Sequence, residues 1–226
     1  MNKIISKIAY DVGTPFFLFY PRTFKSNLDD FNNAFKKLYS NVLVAYSFKT
    51  NYIPFICKCA LEGGAYAEVV SGMEYNLALK IGFPPNHIIF NGPLKRYDDF
   101  YYAISNGSII NLDSMYEIEY LKLISRQHPL KDIKIGVRVN FDMTCEDGFS
   151  PRPDGKPYSR FGFCFEDGTL DKALSTIKEI EDVSVDGLHG HASTTTRGIK
   201  AFENITEVLC NIAATRLNGK INYIDV

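Results

Sequence analysis

Charge of one sign is what this chain most plainly lacks. With 25 basic and 26 acidic side chains its formal net charge is only -1, so the overall balance gives nothing for a nucleic acid or a membrane surface to recognise. Long apolar runs are also missing. No stretch approaches the ~18 consecutive apolar residues of a membrane span, and the opening MNKIISKIAYDVGTPFF has neither the sustained apolar core nor the small-residue cleavage site of a leader. There is no disulfide framework. Cys57, Cys59, Cys145, Cys164 and Cys210 are odd in number and irregular in spacing, the pattern of free thiols in a reducing compartment. Cys57 and Cys59 make CxC rather than CxxC, and two residues apart on a helix they diverge, so packing is expected there and no metal site. His87 and His128 sit near prolines without a partner close in sequence. These absences leave a cytoplasmic enzyme or binding protein, with no nucleic-acid and no membrane partner.

What is present is a rhythm. Apolar, β-rich runs occur at 42–48, 66–70, 87–91, 108–112, 133–139, 183–189 and 221–226. Segments of helical period lie between most of them, as in Leu28, Phe31, Phe35 and Leu38, or Ile118, Leu121 and Ile124. Ser71 to Glu74 and Ser114 to Glu117 each fit a capping box at a helix start, and Gly82 fits a helix stop. Strand followed by helix, repeated, predicts an α/β fold with a parallel sheet. Since a (β/α)8 barrel takes ~250 residues, 226 residues with seven such steps predict a TIM-type barrel one unit short.

Active sites of such barrels gather at the C-terminal ends of the strands. In chain order the polar residues there are Lys49, Glu68 with Glu74 beyond it, Asn91 and Lys95, Asp113 with Ser114, Arg138 with Asn140, and His189 with His191. Each has an ordinary alternative: Glu74 and Ser114 as helix caps, Arg138 as the partner of a carboxylate. Their common placement is the stronger signal. The segment 145–158, rich in Pro and Gly, reads as a substrate-facing loop or as a surface insertion.

These residues resemble a known family in an ordered set of motifs. Thr14 to Phe19 is similar to a TP-L-Y opening, and Tyr46-Ser47-Phe48-Lys49-Thr50-Asn51 is similar to YAVKAN. Ala67 to Glu74, AEVVSGME, is similar to ADVVSGGE. Asn111 to Ser114 resembles N-DS, Arg138 to Asn140 RVN, Ser159 to Gly162 SKFG, and Gly187 to His191 GLHxH. The family is the pyridoxal-phosphate-dependent decarboxylases of fold type III, which include diaminopimelate, ornithine and arginine decarboxylases; the motifs are most like those of diaminopimelate decarboxylase. Its barrel is of the alanine-racemase-like kind.

The resemblance implies pyridoxal 5'-phosphate as cofactor and an amino-acid substrate. It makes Lys49 the catalytic lysine that holds the cofactor as a Schiff base, expected to be desolvated so that its amine is more easily neutral. It makes His191, rather than His189, the ring that stacks on the cofactor; the choice rests on spacing to Ser193 and Thr194, which align near the cofactor phosphate. Glu68 replaces an aspartate of the cofactor site. Arg138 supports the floor of that site, and Glu74 belongs to the same region. Arg160 stands where the family has lysine. Arg197 has no counterpart in the family pattern and is a candidate for a substrate carboxylate or phosphate.

In the family the chain continues beyond the last strand into a glycine-rich phosphate loop, an eighth strand and a C-terminal β domain, and works as a homodimer. The expected organisation is therefore an N-terminal segment, 1–24, that in the family pairs with the β domain, followed by a cofactor-binding barrel over 25–226 that stops before the phosphate loop. Two alternatives remain at this stage. One is an amino-acid racemase, which would carry a KANAYGHG-like segment where Lys49-Thr-Asn-Tyr-Ile-Pro stands. The other is a non-catalytic cofactor-binding barrel.

Overall fold

A computed structural model describes residues 3–128, 130–144, 158–191 and 198–226. Two helices, α1 (Lys3–Val12) and α2 (Pro21–Lys36), precede the first strand, β1 (Ala45–Ser47). The chain then alternates: α3 (Pro54–Glu62), β2 (Tyr66–Val69), α4 (Gly72–Ile81), β3 (Ile88–Phe90), α5 (Tyr97–Ser105), β4 (Ile109–Leu112) and α6 (Met115–Gln127). After β5 (Ile133–Asn140) come a two-residue β6 (Phe163–Cys164), α7 (Thr169–Lys178), β7 (Val183–Gly190), α8 (Ile199–Arg216) and β8 (Tyr223–Asp225). All pairings are parallel, in the order β1-β2-β3-β4-β5-β7-β8. The seven runs expected from sequence are the seven strands of this path. The eighth, β6, was not expected: β7 occupies one side of β5 through Val139, and Phe163 and Cys164 pair with Val139 and Asn140 on the other, beyond the end of β4.

Local chemistry accounts for the helix limits. Pro21 and Pro54 occupy the first turns of α2 and α3, where the missing N–H costs nothing. Ser114 and Glu117 form the expected reciprocal box at the start of α6. At α4 only half of it forms: Ser71 accepts from the Glu74 amide, while the Glu74 carboxylate reaches back to the Val70 amide. Gly82 ends α4 with φ +108, in the left-handed region. α2 is helical as expected, yet Phe31 and Phe35 on it are exposed and Leu38 lies beyond its end. The helix flanks β1, which has a neighbour on one side only, so there is little sheet for it to cover.

Period-2 alternation divides each strand between two environments. One set, Phe48, Ala67, Val69, Ile88, Phe90, Ile110, Leu112, Val137, Val139 and Leu188, is buried under the helices. There it meets Tyr75 and Ala78 of α4, Phe100 of α5, Ile118, Leu121 and Ile124 of α6, and Ile205, Leu209 and Ile212 of α8. The other set faces the concave interior and is polar at its upper end. The sheet curls far enough for Asp225 on β8 to accept hydrogen bonds from Asn91 and Asn111 on the β3 and β4 side. It does not close, since β1 pairs only with β2 and β8 only with β7. The architecture is a partial TIM-type barrel, as expected. Among the described residues no helix is long and apolar enough to cross a membrane.

Lys95, counted by sequence among the strand-end candidates, lies outside that interior. Its ammonium is fully buried and donates to the Gly92 and Asn111 carbonyls at 2.8 and 2.9 Å and to Glu117 Oε1 at 2.6 Å. Glu117 Oε2 accepts from the Asp113 and Ser114 amides. The pair fastens the start of α6 to the ends of β3 and β4. The sequence could not separate this role from a site role, because both use a polar residue just past a strand.

Glu117→Ala is expected to leave the Lys95 charge buried without its partner and to cost about 3–5 kcal/mol of stability. Urea unfolding of the variant against wild type measures this.

Candidate active site

Register places the candidate side chains. Ser47 pairs with Glu68, Asn111 with Gly136, Arg138 with His189, and His189 with Asp225. Partners in register project to the same face, so Ser47, Glu68, Asn111, Arg138, His189 and Asp225 all enter the interior. Lys49 lies in the turn just past β1 and His191 just past β7, and the Lys49 charge acts on the His191 ring.

A continuous polar network joins Ser47, Glu68, Asn91, Asn111, Tyr223 and Asp225. Ser47 Oγ donates to Glu68 Oε2 at 2.5 Å, and Asn91 Nδ2 lies 3.3 Å from Glu68 Oε1 and 3.2 Å from Asp225 Oδ2. Asn111 Nδ2 donates to Asn91 Oδ1 at 2.7 Å and to Asp225 Oδ2 at 3.0 Å, while the Tyr223 hydroxyl donates to Asn111 Oδ1 at 2.8 Å. The Tyr223 ring lies over Gly187, where any Cβ would collide with it. His189 Nδ1 is 3.0 Å from Asp225 Oδ2, off the direct hydrogen-bond line. Burial pushes the Asp225 carboxyl up, but His189, Asn91 and His191 outweigh it and hold the group below the ordinary carboxylate range.

Arg138, buried on β5, donates to Asp113 Oδ2 at 2.6 Å. The other Asp113 oxygen accepts from the Gly162 amide at 3.1 Å. Gly162 has φ +78, and a Cβ on it would stand 2.8 Å from the Arg138 carbonyl oxygen, so the approach requires glycine. Phe161 receives both Arg138 and the exposed Arg160, whose guanidinium carbons lie 4.9 and 4.6 Å from its ring centre. The sequence had suggested a carboxylate partner for Arg138; it did not indicate Asp113 or the Phe161 stack.

Lys49 lies in the turn just past β1 and is exposed, which corrects the expectation of a desolvated amine. β1 is an edge strand, so no neighbouring strand covers its end. Among the described residues Lys49 has no hydrogen-bond or ion-pair partner. Its charge is still felt by two groups. The Glu74 carboxyl is raised, first by burial and further by Glu68, with the Val70 amide and Lys49 opposing. The His191 imidazole is lowered to about 4, first by burial, then by the Lys49 and Arg138 charges and by His189. The two histidine rings lie nearly parallel, 11° apart with centres separated by 6.4 Å.

The structure thus brings Lys49, Glu68, Glu74, Arg138 and His191 to one end of the barrel, with Arg160 at its margin. Ser193, Thr194 and Arg197 lie outside the described residues, as does 145–157. Sequence reasoning passed over Ser47, Tyr223 and Asp225 as site residues. Ser47 lay within the YSFKTN motif, whereas no candidate had been placed on the strand that carries Tyr223 and Asp225, so their role depended on contacts across the sheet.

The C-terminal mouth of this partial parallel barrel therefore gathers an amine, two carboxylates, an arginine and a histidine. Residues 24–226 match the pyridoxal binding domain of the pyridoxal-dependent decarboxylases, and the chain belongs to that family. It is 25% identical to diaminopimelate decarboxylase of Aquifex aeolicus over 98% of this chain and 52% of that protein. It is 28% identical to a probable chloroplastic diaminopimelate decarboxylase of Oryza sativa over 94% of this chain and 43% of the relative. A crystal structure of diaminopimelate decarboxylase from M. jannaschii superposes with a TM-score of 0.85 at 24% identity, covering 96% of this chain and 51% of that one. The same enzyme in complex with L-lysine gives 0.83. The chain therefore spans about half the length of the relatives it matches.

The neutral state of His191 has a consequence for pH. A histidine whose folded pKa lies below its unfolded value is protonated first in the unfolded chain, so stability is fully present above about pH 6.5 and declines as pH falls towards 4. His191→Phe is expected to flatten the stability profile in that window, and the His191 ring protons are expected to titrate near pH 4 by NMR.

Proposed function

We propose that this chain is the cofactor-binding barrel of a pyridoxal-phosphate-dependent decarboxylase, a carboxy-lyase, acting on an amino acid with a second amine, such as diaminopimelate. One observation carries this: Lys49 stands at the mouth of a partial parallel barrel, in the turn after the strand whose Ser47 pairs with Glu68, and within the electrostatic reach of Glu74 and His191. The donor set suits a phosphorylated aldehyde, with a primary amine for the carbonyl, a neutral ring to lie against an aromatic one, and carboxylates and an arginine to orient it. When bound, pyridoxal phosphate supplies the ring that accepts the electron pair left by departing CO2.

The chain's own residues have distinct tasks in this proposal. Lys49 would hold the cofactor through its amine. His191, uncharged through the neutral pH range, stacks on the cofactor ring without placing a positive charge there. Glu68 and Glu74 add negative charge near Lys49, and Arg138, held by Asp113, braces the floor. Ser193 and Thr194 hold the phosphate, while Arg160 and Arg197 are available to a substrate carboxylate. The family match over 24–226 favours the decarboxylase over the racemase and the non-catalytic barrel. The L-lysine complex of the M. jannaschii enzyme supports an amino acid with a distal amine.

In the complete enzyme we place the remaining partners by the same route: a cytoplasmic homodimer in which residues 1–24 pair with a C-terminal β domain. The exposure of Tyr10, Phe17 and Tyr20 in that segment supports a covering element.

Two outcomes test the proposal. Borohydride reduction of the chain with pyridoxal phosphate is expected to fix the cofactor on the peptide containing Lys49, and Lys49→Ala is expected to abolish the label; a label elsewhere overturns the assignment. CO2 release by the 226-residue chain from diaminopimelate, ornithine, arginine or lysine is expected to stay well below ~1 per second, because the sheet is open at β1 and β8 and Lys49 at its mouth is exposed to water.

A further inference from the structure

Measured against the YAVKAN and ADVVSGGE patterns, this chain departs at five positions, and two of them, serine for alanine at 47 and glutamate for aspartate at 68, touch each other. The two residues are direct register partners on adjacent parallel strands, and their side chains touch: Ser47 Oγ donates to Glu68 Oε2 at 2.5 Å. The other oxygen, Oε1, is met by Asn91 Nδ2 at 3.3 Å. Each carboxylate oxygen thus has one donor, from strands on opposite sides of β2.

A glutamate differs from an aspartate by one methylene and one more rotatable bond. Placed where a shorter acid would suffice, it overshoots, and its carboxylate must be folded back and held against the loss of rotamer freedom. A donor on β1 does this directly. Alanine at 47 has nothing to offer, whereas a serine hydroxyl gives a short, charge-assisted hydrogen bond. The bond draws the Glu68 charge towards the strand that ends on Lys49. Glu68 in turn helps raise the buried Glu74 carboxyl, so its location is sensed by the rest of the mouth.

We infer that Ser47 is a positioning residue that sets the Glu68 carboxylate, and that serine at 47 and glutamate at 68 work as a matched pair in place of a shorter acid beside a residue with no hydroxyl. This rests on the assignment of the barrel mouth as a pyridoxal phosphate site. Ser47 itself does not touch the cofactor. Its effect passes through Glu68, so it should depend on which acid stands at 68.

The test is a set of variants of the 226-residue chain, Ser47→Ala, Ser47→Thr, Glu68→Asp and Ser47→Ala with Glu68→Asp, titrated with pyridoxal phosphate by visible absorbance. Ser47→Ala is expected to weaken cofactor affinity about tenfold, the size of one charge-assisted hydrogen bond. Ser47→Thr, which keeps the hydroxyl, is expected to stay within about twofold. In the Glu68→Asp background, Ser47→Ala is expected to change affinity by less than about twofold, since the shorter acid no longer needs the serine. A second readout needs no cofactor. Thermal midpoints of Ser47→Ala, Glu68→Gln and the double variant should be non-additive, the double falling short of the summed losses by about 3 °C or more. Equal affinities for wild type and Ser47→Ala together with additive midpoints overturn the inference while leaving the site assignment intact. A wild-type chain that binds no pyridoxal phosphate overturns the site assignment and the cofactor half of the inference, and additive midpoints then overturn the contact as well.

Discussion

A carboxylate inside a sheet is tolerated only where donors replace the water it has lost, and Asp225 meets that condition with groups from three other strand ends. Asn91 and Asn111 donate to it and His189 lies against it, so one side chain on β8 is tied to the β3, β4 and β7 ends. That contact requires curvature, because in the hydrogen-bonded order β8 is three places from β4 and four from β3, by way of β7 and β5. The curl of the sheet, the fixed orientation of the two asparagines and the setting of Glu68 through Asn91 all depend on it. The lowered pKa of Asp225 follows from the same geometry, with the donors outweighing burial.

The mouth above this network is electrically divided. On the β1 and β2 side, Glu68 and the raised, buried Glu74 face the Lys49 ammonium. On the β5 and β7 side, Arg138 is neutralised by Asp113, and His191 is kept neutral by burial and by the cations around it. Neutral aromatic and fixed charge therefore sit on opposite walls. In the proposed function a planar, anionic cofactor would have the His191 ring on one side and the Lys49 amine on the other. Buried charge elsewhere serves assembly instead: Lys95 and Glu117 resemble site residues in the sequence, but each is saturated by main-chain and ion-pair contacts and has no capacity left for a ligand.

The two unpaired edges shape what surrounds the site. β1 and β8 each present main-chain groups without a neighbouring strand, and α2 leaves Phe31 and Phe35 exposed beside the first of them. Lys49 is exposed for the same reason. The features that a complete barrel would enclose are thus the ones found open, and they cluster at the gap rather than around the middle of the sheet, where Phe90, Leu112 and Val137 are fully buried.

Alternation, capping and glycine position were enough to read the strand-helix order, the parallel sheet and the missing closure, because each depends on residues near one another in the chain. The boxes at Ser71 and Ser114, the stop at Gly82 and the seven apolar runs are local signals of this kind. The motifs also carried Lys49, Glu68, Arg138 and His191 to one end of the barrel. The sequence could not determine partnership across the interior. Asp225 meets Asn91 at a separation of 134 residues, Tyr223 meets Asn111 at 112, and Arg138 meets Asp113 and Phe161 across strand and loop. Whether Lys49 is covered or exposed, whether Lys95 faces the site or the core, and which serine steadies Glu68 all depend on register and curvature. Those are properties of the assembled sheet, and no spacing within a single strand encodes them.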